Sequence, residues 1–571
     1  MKKFDQRSQA NIAWGLLILI MVVYAVEMSH QVVLRYDTFK ATAFDLGNMD
    51  QVLWNTIHGR LFQFTNQAID WYGPPTRLAF HFEPIILPLS LLYVFHADPR
   101  ILLVFQTLAL ASGALPVFLL TRRYLREWPI LAALMAMAYL LSPALLGVNI
   151  FDFHPVALAT PLLLYAVLAL TYKRYVWFLI ACVLAAACKE DVPLTIAVFG
   201  ILVIWKYKLP RLGITLMIGG VLWSFLAFKV IMPHFYPGVQ ANNFWYRYEA
   251  LGSSPGAAIA NILVHPWILF TTFFTLDRLY YMAGLVRSVG FLPLLAPEWL
   301  LPILPGLAIN LLSTDPLLYS GVYQYNATII PFIMIAAIHG TRRLIQAWQG
   351  WRHEELPDVV NESGGLDAVD GDANGIVGAG LSPALPPSPA LHPVLAQAGH
   401  LIAWLQPRIL RLTLPRWRNE QWRRFSERMA PIAKNVSVIR LQWIVFAWIT
   451  VMIGLNFWLA VPQLNTFWAD HDPGSREKHI QQLLALIPPG ASVSAGANLN
   501  PHLSERQLLA VFPSVCIDSA CNHTVEYVIV DLNSLTTENR AQAASVLNAL
   551  SRQFRVVARA EGVVLLIRRS T

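Results

Sequence analysis

The stretch IAWGLLILIMVVYAVEM (residues 12–28) decides the class of this protein, because it is apolar enough to cross a bilayer and holds one charged residue, Glu27. A basic flank, MKKFDQRS, precedes it, and no small-residue cleavage site follows it. We therefore interpret it as a retained first helix whose amino-terminal flank stays in the cytoplasm. The chain as a whole is also strongly apolar, since 56% of its 571 residues are hydrophobic and 13% are charged. This composition excludes a soluble protein and predicts an α-helical polytopic membrane protein.

The basic residues give the chain a formal net charge of +8 at pH 7. They cluster beside hydrophobic segments, where they set the topology and contact anionic lipid head groups. The pattern predicts a protein of the cell inner or plasma membrane whose partners include membrane lipids. It argues against nucleic acid as a partner.

Four short connections are rich in Lys and Arg and are predicted to be cytoplasmic: residues 121–128, 171–175, 205–213 and 340–352. The intervening connections then face outward, at residues 145–155, 188–193, 233–249 and 313–325. This orientation is consistent along the chain if it crosses the membrane about 11 times. The predicted spans are residues 12–28, 100–121, 128–144, 156–171, 175–188, 192–206, 212–232, 265–286, 289–311, 326–341 and 441–461.

The first outward loop, residues 29–99, contains one apolar segment that is too short to span. Residues 81–95 (HFEPIILPLSLLYVF) offer about 14 positions where a crossing needs about 20, and a crossing here would reverse every later basic loop. We interpret this segment as an interfacial or re-entrant helix.

The composition changes twice after the tenth span. Residues 346–400 are acidic and rich in Gly and Pro, which predicts a disordered cytoplasmic linker. Residues 401–440 interleave Arg and Lys with Trp, Leu and Ile, which is typical of an amphipathic segment bound to anionic lipid. A solvated cytoplasmic helix is the alternative for this segment. The last span, residues 441–461, then leads outward.

Residues 462–571 alternate strand-like runs, such as EYVIVDL, with helical runs, such as EKHIQQLLALI. They predict a small extracytoplasmic α/β domain. In an oxidising compartment Cys516 and Cys521 could form a disulfide that closes the loop CIDSAC, whereas in a reducing one they would be idle thiols. Cys182 and Cys188 lie in an apolar segment and are interpreted as packing residues.

The outward loops hold the ionisable residues that lie closest to the spans. A carboxylate or a lysine at this depth is costly unless it is paired or functional. Solvated hairpin charges, a stabilised turn and an interfacial aromatic belt are the structural alternatives, but together the loops suggest a polar cavity on the outer face. Its predicted members are Asp45, Asp50, His81, Glu83, Asp152, His154, Lys189, Glu190, Asp191, Arg247, Tyr323, Gln324 and Tyr325.

Several of these residues stand in motifs that follow one another in order: FDLGNMDQVLWNTIHGRLFQFT, HFEPIILPLSLLY, FDFHP, KED, LPLLAPEWLLPILPGLAINLLS and YQYNATIIPFI. In these motifs the chain resembles an uncharacterised family of predicted prokaryotic membrane proteins that is grouped with the GT-C superfamily of membrane glycosyltransferases. The resemblance covers residues 12–341, and SAGANLNPHLSERQLLAVFP with EYVIVDL extends it into the carboxyl-terminal domain.

The resemblance implies a GT-C-like catalytic module in residues 1–345, which transfers a sugar from a polyprenyl-phosphate donor. Enzymes of this superfamily carry an essential acidic residue in the first outward loop, and Asp45 matches that position. An inverting transfer needs a carboxylate to take the proton of the acceptor hydroxyl, so the resemblance implies Asp45 as general base. Asp50 is grouped with it as a second catalytic candidate. It stands about 140° around a helix axis from Asp45 and is assigned to anchoring the loop or holding the acceptor.

The leaving lipid phosphate needs cations or hydrogen-bond donors. Lys189 and Arg247 are the candidates for this role, with His81 and His154 as hydrogen-bonding partners. The other members would line the cavity or hold the acceptor: Glu83, Asp152, Glu190, Asp191, Tyr323, Gln324 and Tyr325. The expected site has no cofactor, and a divalent cation held by residues such as Asp152 and His154 is the alternative.

Two functions of other classes remain open. A transporter or lipid flippase would have ionisable residues near helix midpoints and similarly interrupted helices in two halves, and neither feature is evident. A non-catalytic membrane scaffold would tolerate Asp45→Asn and Lys189→Ala. The sequence specifies neither the sugar, the acceptor nor the oligomeric state.

Overall fold

In the computed structural model the chain is mostly helical, and the structure describes residues 6–67, 74–237, 244–353, 416–468, 471–517, 521 and 523–569. Residues 354–400 of the predicted linker and residues 401–415 of the predicted basic segment lie outside the described residues. The helices are α1 (Gln6–Asp37), α2 (Asn48–Ile57), α3 (Ile86–Phe95), α4 (Pro99–Ser112), α5 (Ala114–Tyr124), α6 (Pro129–Leu140), α7 (Pro143–Ile150), α8 (Ala159–Thr171), α9 (Tyr175–Ala186), α10 (Val192–Trp205), α11 (Pro210–Leu226), α12 (Met232–Phe235), α13 (Pro255–Val264), α14 (Trp267–Phe273), α15 (Leu276–Arg287), α16 (Leu304–Leu311), α17 (Ile330–His353), α18 (Arg416–Asn435), α19 (Val438–Leu464), α20 (Ser475–Leu484) and α21 (Thr537–Leu550). The strands are β1 (Val493–Ala495), β2 (Leu509–Val511), β3 (Tyr527–Asp531), β4 (Phe554–Ala560) and β5 (Val563–Arg568).

Within the described residues, four helical stretches are long and apolar enough to cross a membrane: Gln6–Asp37, Pro99–Tyr124, Pro210–Phe235 and Val438–Leu464. The total rises to six if two bent pairs each form one span, α6 with α7 at 47° and residues 245–273 at 104°. Other predicted crossings are shorter apolar helices such as α9 and α10. The total of about 11 spans therefore stays a prediction.

Two predicted spans are wrong as continuous helices. The stretch 265–286 is interrupted between α14 and α15, and α14 is bent sharply from the segment before it. In the stretch 289–311, closely spaced prolines remove backbone donors, so two 3₁₀ turns (Leu292–Leu295 and Pro297–Ile303) precede the short α16. By contrast, residues 81–95 contain only the ten-residue α3, too short to span as expected.

Helices α10 and α11 pack closely because glycines lie at their contact. A Cβ atom built on Gly200 would lie 2.6 Å from the carbonyl oxygen of Gly213, and one built on Gly220 would lie 2.3 Å from that of Pro193. A larger side chain at either glycine would push the two backbones apart. The packing holds the amino-terminal end of α10, which the charged residues 189–191 precede.

The basic connections contact one another. Thr171 Oγ1 lies 3.2 Å from the Tyr207 hydroxyl, and Tyr207 in turn hydrogen bonds with Tyr124. The Arg342 guanidinium lies 5.7 Å from the ring centre of Tyr124. These four residues belong to the four connections predicted to be cytoplasmic, so those connections share one end of the helices.

The chain divides into two compact units, residues 1–342 with 445–571 and residues 343–444. In the second unit, the Trp351 indole donates to Ser426 Oγ at 3.2 Å, and Arg352 Nη1 donates to the Val436 carbonyl at 2.8 Å. The carboxyl-terminal end of α17 therefore packs against α18. Contact of this segment with lipid stays a prediction.

The carboxyl-terminal region contains a five-stranded sheet with the order β2-β1-β3-β5-β4, which belongs to the first unit. β1 runs parallel to β2 and β3, and β5 runs antiparallel to β3 and β4. Alternating apolar residues bury both faces of the sheet, one under α20 and the other under α21. The predicted small α/β fold is confirmed. Cys516 and Cys521 are joined by a disulfide in the connection between β2 and β3.

Candidate active site

A carboxylate and a histidine meet where the first loop contacts the FDFHP loop. Asp45 is carried by a single π-helical turn, Ala43–Gly47, that follows the extended residue Thr42. His154 Nε2 lies 3.0 Å from Asp45 Oδ1, and the Thr42 hydroxyl donates to Asp45 Oδ2 at 2.9 Å. The Asp45 side chain is 25% exposed. The carboxylate is therefore held at both oxygens and still reaches the surface.

These contacts set the protonation state of Asp45. Burial by itself would raise the pKa of Asp45, but the hydrogen bonds from His154 and Thr42 outweigh it and bring the pKa below the usual carboxyl value. Asp45 is therefore ionised at neutral pH and can accept a proton.

A buried ion pair lies behind this turn. Asp152 has a positive φ of 47°, which aspartate tolerates, and its side chain is 1% exposed. Arg35 Nε donates to Asp152 Oδ1 at 3.4 Å, and the Thr42 backbone amide donates to Asp152 Oδ2 at 3.0 Å. Thr42 thus joins the two carboxylates, because its hydroxyl binds Asp45 while its amide binds Asp152.

The FDFHP loop is held from within the helical region by Gln106 of α4, which is fully buried. The Gln106 amide donates to the Asp152 carbonyl at 2.9 Å, and its side-chain oxygen accepts from the His154 backbone amide at 2.9 Å. The backbone is therefore fixed at both of the residues that the loop contributes to the site.

The CKEDVP loop forms a second charged cluster. Glu190 Oε1 lies 2.8 Å from His81 Nδ1, and Glu190 Oε2 accepts from the Phe82 amide at 3.1 Å. Lys189 Nζ lies 3.8 Å from Asp191 Oδ1. Burial alone would lower the pKa of Lys189, but the charges of Asp191 and Glu190 raise it. The amine is therefore cationic at neutral pH.

Arg247 and the YQY aromatics lie beside these clusters. Arg247 Nε lies 3.1 Å from Asp315 Oδ2, and the Arg247 guanidinium is 5.9 Å from the ring centre of Tyr325. Tyr323 packs edge-on against Phe151 of the FDFHP loop, with ring centres 4.6 Å apart. The YQY segment therefore touches both the arginine and the FDFHP loop.

The Tyr325 hydroxyl links the two clusters electrostatically. Burial raises the pKa of Tyr325, the charges of Arg247 and Lys189 oppose that rise, and the charge of Asp45 adds to it. All three charged groups thus act on one hydroxyl. Ring contacts join the same groups: the Phe244 ring centre lies 5.0 Å from that of His81 and 5.1 Å from the Arg247 guanidinium, and the Tyr323 ring centre lies 6.3 Å from that of Tyr325. Beside it, Gln324 has a buried Oε1 that meets no hydrogen-bond donor in the described part of the chain.

Two predicted site carboxylates, Asp50 and Glu83, make buried contacts of their own. Asp50 is fully buried, and it accepts hydrogen bonds from the Tyr93 hydroxyl and, at 2.5 Å, from Ser504 Oγ of the sheet domain. Glu83 is also buried, and its Oε2 accepts from Arg77 Nε at 2.7 Å. Both carboxylates are engaged in buried contacts, which do not favour Asp50 as a catalytic group or Glu83 as an acceptor ligand, and both roles stay predictions. The contacts of Asp50 fit the prediction that it anchors the first loop.

No metal-binding cluster is found in the residues that the structure describes, by the criterion of three or more His, Cys, Asp or Glu side chains suitably grouped. Asp152, one of the two candidate ligands, pairs with Arg35.

Sequence reasoning missed three residues that build the site. Arg35 ends a 32-residue helix and resembles an ordinary flanking charge. Its sequence signal was its place at the end of the first helix that is predicted to face outward, since Lys and Arg favour the cytoplasmic flank. Thr42 stands three residues before Asp45, the spacing at which a hydroxyl and a carboxylate meet in a turn. Gln106 carries no distinguishing sequence signal.

A carboxyl group with a shifted pKa, that of Glu505, lies in the connection between β1 and β2 of the sheet domain. Burial and the charge of Asp98 raise the pKa of Glu505 from 4.5 to about 7, against the opposing charge of Arg506. Between these two values the folded state binds more protons than the unfolded state, so stability falls as the pH rises through that range.

We therefore expect Glu505→Gln to raise the Tm of the purified protein in detergent at pH 8 and to leave it nearly unchanged at pH 4.5, where wild-type Glu505 is protonated when folded. Glu538→Gln, at an exposed position of α21, is the control and should change neither value. Equal shifts at both pH values for Glu505→Gln would contradict this assignment.

A family model described as "Predicted membrane protein (DUF2079)" matches residues 35–357 and 421–565 of the chain. No curated protein matches the chain. Among solved structures, ArnT from Cupriavidus metallidurans bound to undecaprenyl phosphate is similar at 14% identity, over 97% of this chain and 98% of that chain, with a TM-score of 0.48. The apo state of the same protein gives a TM-score of 0.45, also at 14% identity and with the same coverage. The apo oligosaccharyltransferase from Archaeoglobus fulgidus gives 0.42 at 12% identity, over 97% of this chain and 73% of that chain.

Proposed function

The chain belongs to the DUF2079 family of predicted membrane proteins, and from that premise we propose that it is a membrane glycosyltransferase. It moves a sugar from a polyprenyl-phosphate donor to an extracytoplasmic acceptor, with inversion at the anomeric carbon. One observation carries the proposal: the Asp45 carboxylate is partly exposed, is bonded to His154 and Thr42, and acts on the same Tyr325 hydroxyl as Lys189 and Arg247. The ordered motifs that the chain shares with this family, which is grouped with the GT-C superfamily, support it.

In the proposed reaction Asp45 is the general base. Its carboxylate takes the proton of the acceptor hydroxyl as that oxygen bonds to the anomeric carbon, and the bond from this carbon to the donor phosphate oxygen breaks. The electron pair of the broken bond leaves with polyprenyl phosphate. His154 and Thr42 hold the carboxylate in one orientation, which keeps the base aligned with the incoming hydroxyl.

The departing phosphate gains negative charge as the bond breaks, and fixed positive charge lowers the energy of that state. Lys189 is the first candidate to supply it, because its side chain is 21% exposed and the neighbouring carboxylates keep it protonated. Arg247 is the second. The Tyr325 hydroxyl, on which both cations act, can donate a hydrogen bond to a phosphate oxygen.

We assign the site and the sheet domain to the extracytoplasmic side and the amino terminus to the cytoplasm. The contacts among the four basic connections support this orientation, because Lys and Arg favour the cytoplasmic flanks of spans. A polyprenyl-linked donor in the outer leaflet would then meet Lys189 and Asp45 from the same side.

We expect Lys189→Gln to lower kcat/KM for the lipid-linked donor by about 10²-fold or more, because the leaving phosphate loses a fixed cation. Steady-state transfer in nanodiscs, with the donor concentration varied, measures the effect. Lys478→Gln removes an exposed lysine of α20 in the sheet domain, outside the site, and should behave as wild type. Equal losses in the two variants would count against a specific role for Lys189.

The function is tested by incubating the purified protein in nanodiscs with a panel of radiolabelled polyprenyl-phosphate sugars and a membrane-derived acceptor fraction. We expect label to move to the acceptor with inverted anomeric configuration, and polyprenyl phosphate to be released in equal amount. A lipid flippase would instead move the intact donor across the bilayer without releasing polyprenyl phosphate. Translocation without bond cleavage would therefore overturn the proposal.

A further inference from the structure

The sheet domain and the first loop share a buried core. Phe39, which has a positive φ of 58° and is 4% exposed, packs into the core on the α20 face of the sheet. The His502 ring centre lies 4.1 Å from that of Tyr36 and 4.2 Å from that of Phe39, and His502 Nε2 lies 3.1 Å from the Tyr36 carbonyl oxygen. The chain just before the Asp45 turn is therefore held by the sheet domain.

A reciprocal pair of amides fixes the start of the turn. Asn66 Nδ2 donates to Asn500 Oδ1 at 2.6 Å, and Asn500 Nδ2 donates to Asn66 Oδ1 at 2.7 Å. Asn66 Nδ2 also donates to the carbonyl of Ala43, the first residue of the turn, at 3.0 Å. Both asparagines are fully buried. Losing either one would leave the amide of the other buried with unmet hydrogen bonds.

The same pair packs against the end of the turn. A Cβ atom built on Gly47, the last residue of the turn, would lie 2.5 Å from Asn500 Oδ1 and 3.0 Å from Asn66 Nδ2. The glycine therefore permits a close approach that no other residue allows. The two asparagines touch the turn at both of its ends, with Asp45 between them.

Helix α2, which follows the turn, is held by the same part of the sheet domain. Gln51 Nε2 donates to the Arg506 carbonyl at 3.0 Å, and Gln51 Oε1 accepts from the Thr65 amide at 2.9 Å. Thr65 Oγ1 in turn donates to the Leu509 carbonyl at 2.8 Å. The contacts with the sheet domain thus fall before, within and after the short turn that carries the carboxylate.

We infer that the segment Asn500–Arg506 clamps the Asp45 turn, and that Asn500 is a positioning residue for the Asp45 carboxylate. This inference rests on the proposed function, because it assigns the clamp a role in that reaction. It also accounts for the motif SAGANLNPHLSERQLLAVFP, which the catalytic residues alone leave unexplained. A small displacement of a base from its acceptor costs about 10²-fold in rate, so a clamp at this turn bears directly on turnover.

The test compares kcat and donor KM for Asn500→Ala, Asn66→Ala and the double variant in nanodiscs. We expect kcat to fall about 10²-fold in each single variant, with donor KM changed less than about threefold and no further loss in the double variant. The isosteric Asn500→Asp should show a similar loss, because a carboxylate oxygen replaces the Asn500 Nδ2 donor and then faces the acceptor Asn66 Oδ1. Asn533→Ala, which removes an exposed asparagine of the sheet domain bonded to the Glu561 carbonyl, is the control and should match wild type.

The Asp45→Asn background separates positioning from a merely structural role. If Asn500 acts through Asp45, adding Asn500→Ala to Asp45→Asn should leave the residual rate unchanged. A further loss of about 10²-fold there, or wild-type kcat in folded Asn500→Ala and Asn500→Asp, would overturn the inference.

Amide hydrogen exchange tests the clamp without an activity assay. We expect exchange at residues 42–50 to be at least tenfold faster in Asn500→Ala and Asn500→Asp than in wild type and Asn533→Ala. Unchanged exchange would overturn the clamp. Faster exchange in a protein whose wild type transfers no sugar would keep the clamp but overturn its catalytic role together with the proposed function.

Discussion

Asp45→Asn is expected to lower kcat for sugar transfer by about 10²–10⁴-fold, the contribution usual for a positioned general base. Asparagine has nearly the same shape and can still accept the Thr42 hydrogen bond, so the turn should keep its conformation. Its amide cannot take a proton at neutral pH, so only the chemical step should suffer. Initial rates at saturating donor are compared between Asp45→Asn and wild type, and the Tm of each protein shows that it is folded.

The matched control for this variant is Asp50→Asn. Asp50 also lies in the first loop, but its carboxylate binds Tyr93 and Ser504. We expect a lower Tm and a smaller loss of kcat than in Asp45→Asn, because Asp50 touches no reacting atom although it contacts Ser504 of the segment that holds the turn. Comparable kcat losses in Asp45→Asn and Asp50→Asn would show that loop integrity, rather than a base, limits the reaction.

Arg35→Met is expected to cost about 3–5 kcal/mol of stability, because it leaves the Asp152 carboxylate buried without its charged partner. The two side chains are 7% and 1% exposed, so water cannot replace the lost contact. The same change should reduce transfer per folded molecule, since Asp152 holds the Thr42 amide and Thr42 binds the base. Thermal unfolding in detergent measures the first effect, and rates normalised to folded protein measure the second.

Arg100→Met is the control for burial. Arg100 pairs with Asp37 and Asp98, but its side chain is 39% exposed, and exposed pairs contribute about 1 kcal/mol or less. Adding Asp152→Asn to Arg35→Met should recover part of the lost stability, because it removes the unpaired charge. If Arg35→Met were no less stable than Arg100→Met, the Arg35 and Asp152 pair would not hold the site together.

Residue types and local periodicity predict much of the fold. The long apolar run of α1 and the short, β-branched apolar run in EYVIVDL each predict their element correctly, because a span needs a long apolar helix whereas a strand buried on both faces needs only a short apolar run. The broken stretches 265–286 and 289–311 could not be predicted in the same way. Hydropathy averages over a window and misses the local loss of backbone donors at proline.

The candidate site was predictable to the extent that its residues are costly in a membrane protein. Asp45, His154 and Lys189 stand out as ionisable residues beside apolar spans. In the structure Asp45 contacts His154, and Asp45 and Lys189 both act on the Tyr325 hydroxyl. Asn500 did not stand out, because it is uncharged and lies in a separate part of the chain. Its contact with Asn66 joins residues 434 positions apart, which no local pattern encodes.

A shared site of Asp45 and Lys189 on the outer face of the membrane is tested most directly by labelling Asp45→Cys and Lys189→Cys with a membrane-impermeant thiol reagent in intact cells. Native thiols give little background, because Cys182 and Cys188 are buried and Cys516 is bonded to Cys521. We expect both positions to react from outside and a polyprenyl-phosphate sugar to slow both reactions. Labelling of the two positions from opposite sides of the membrane would contradict a shared site.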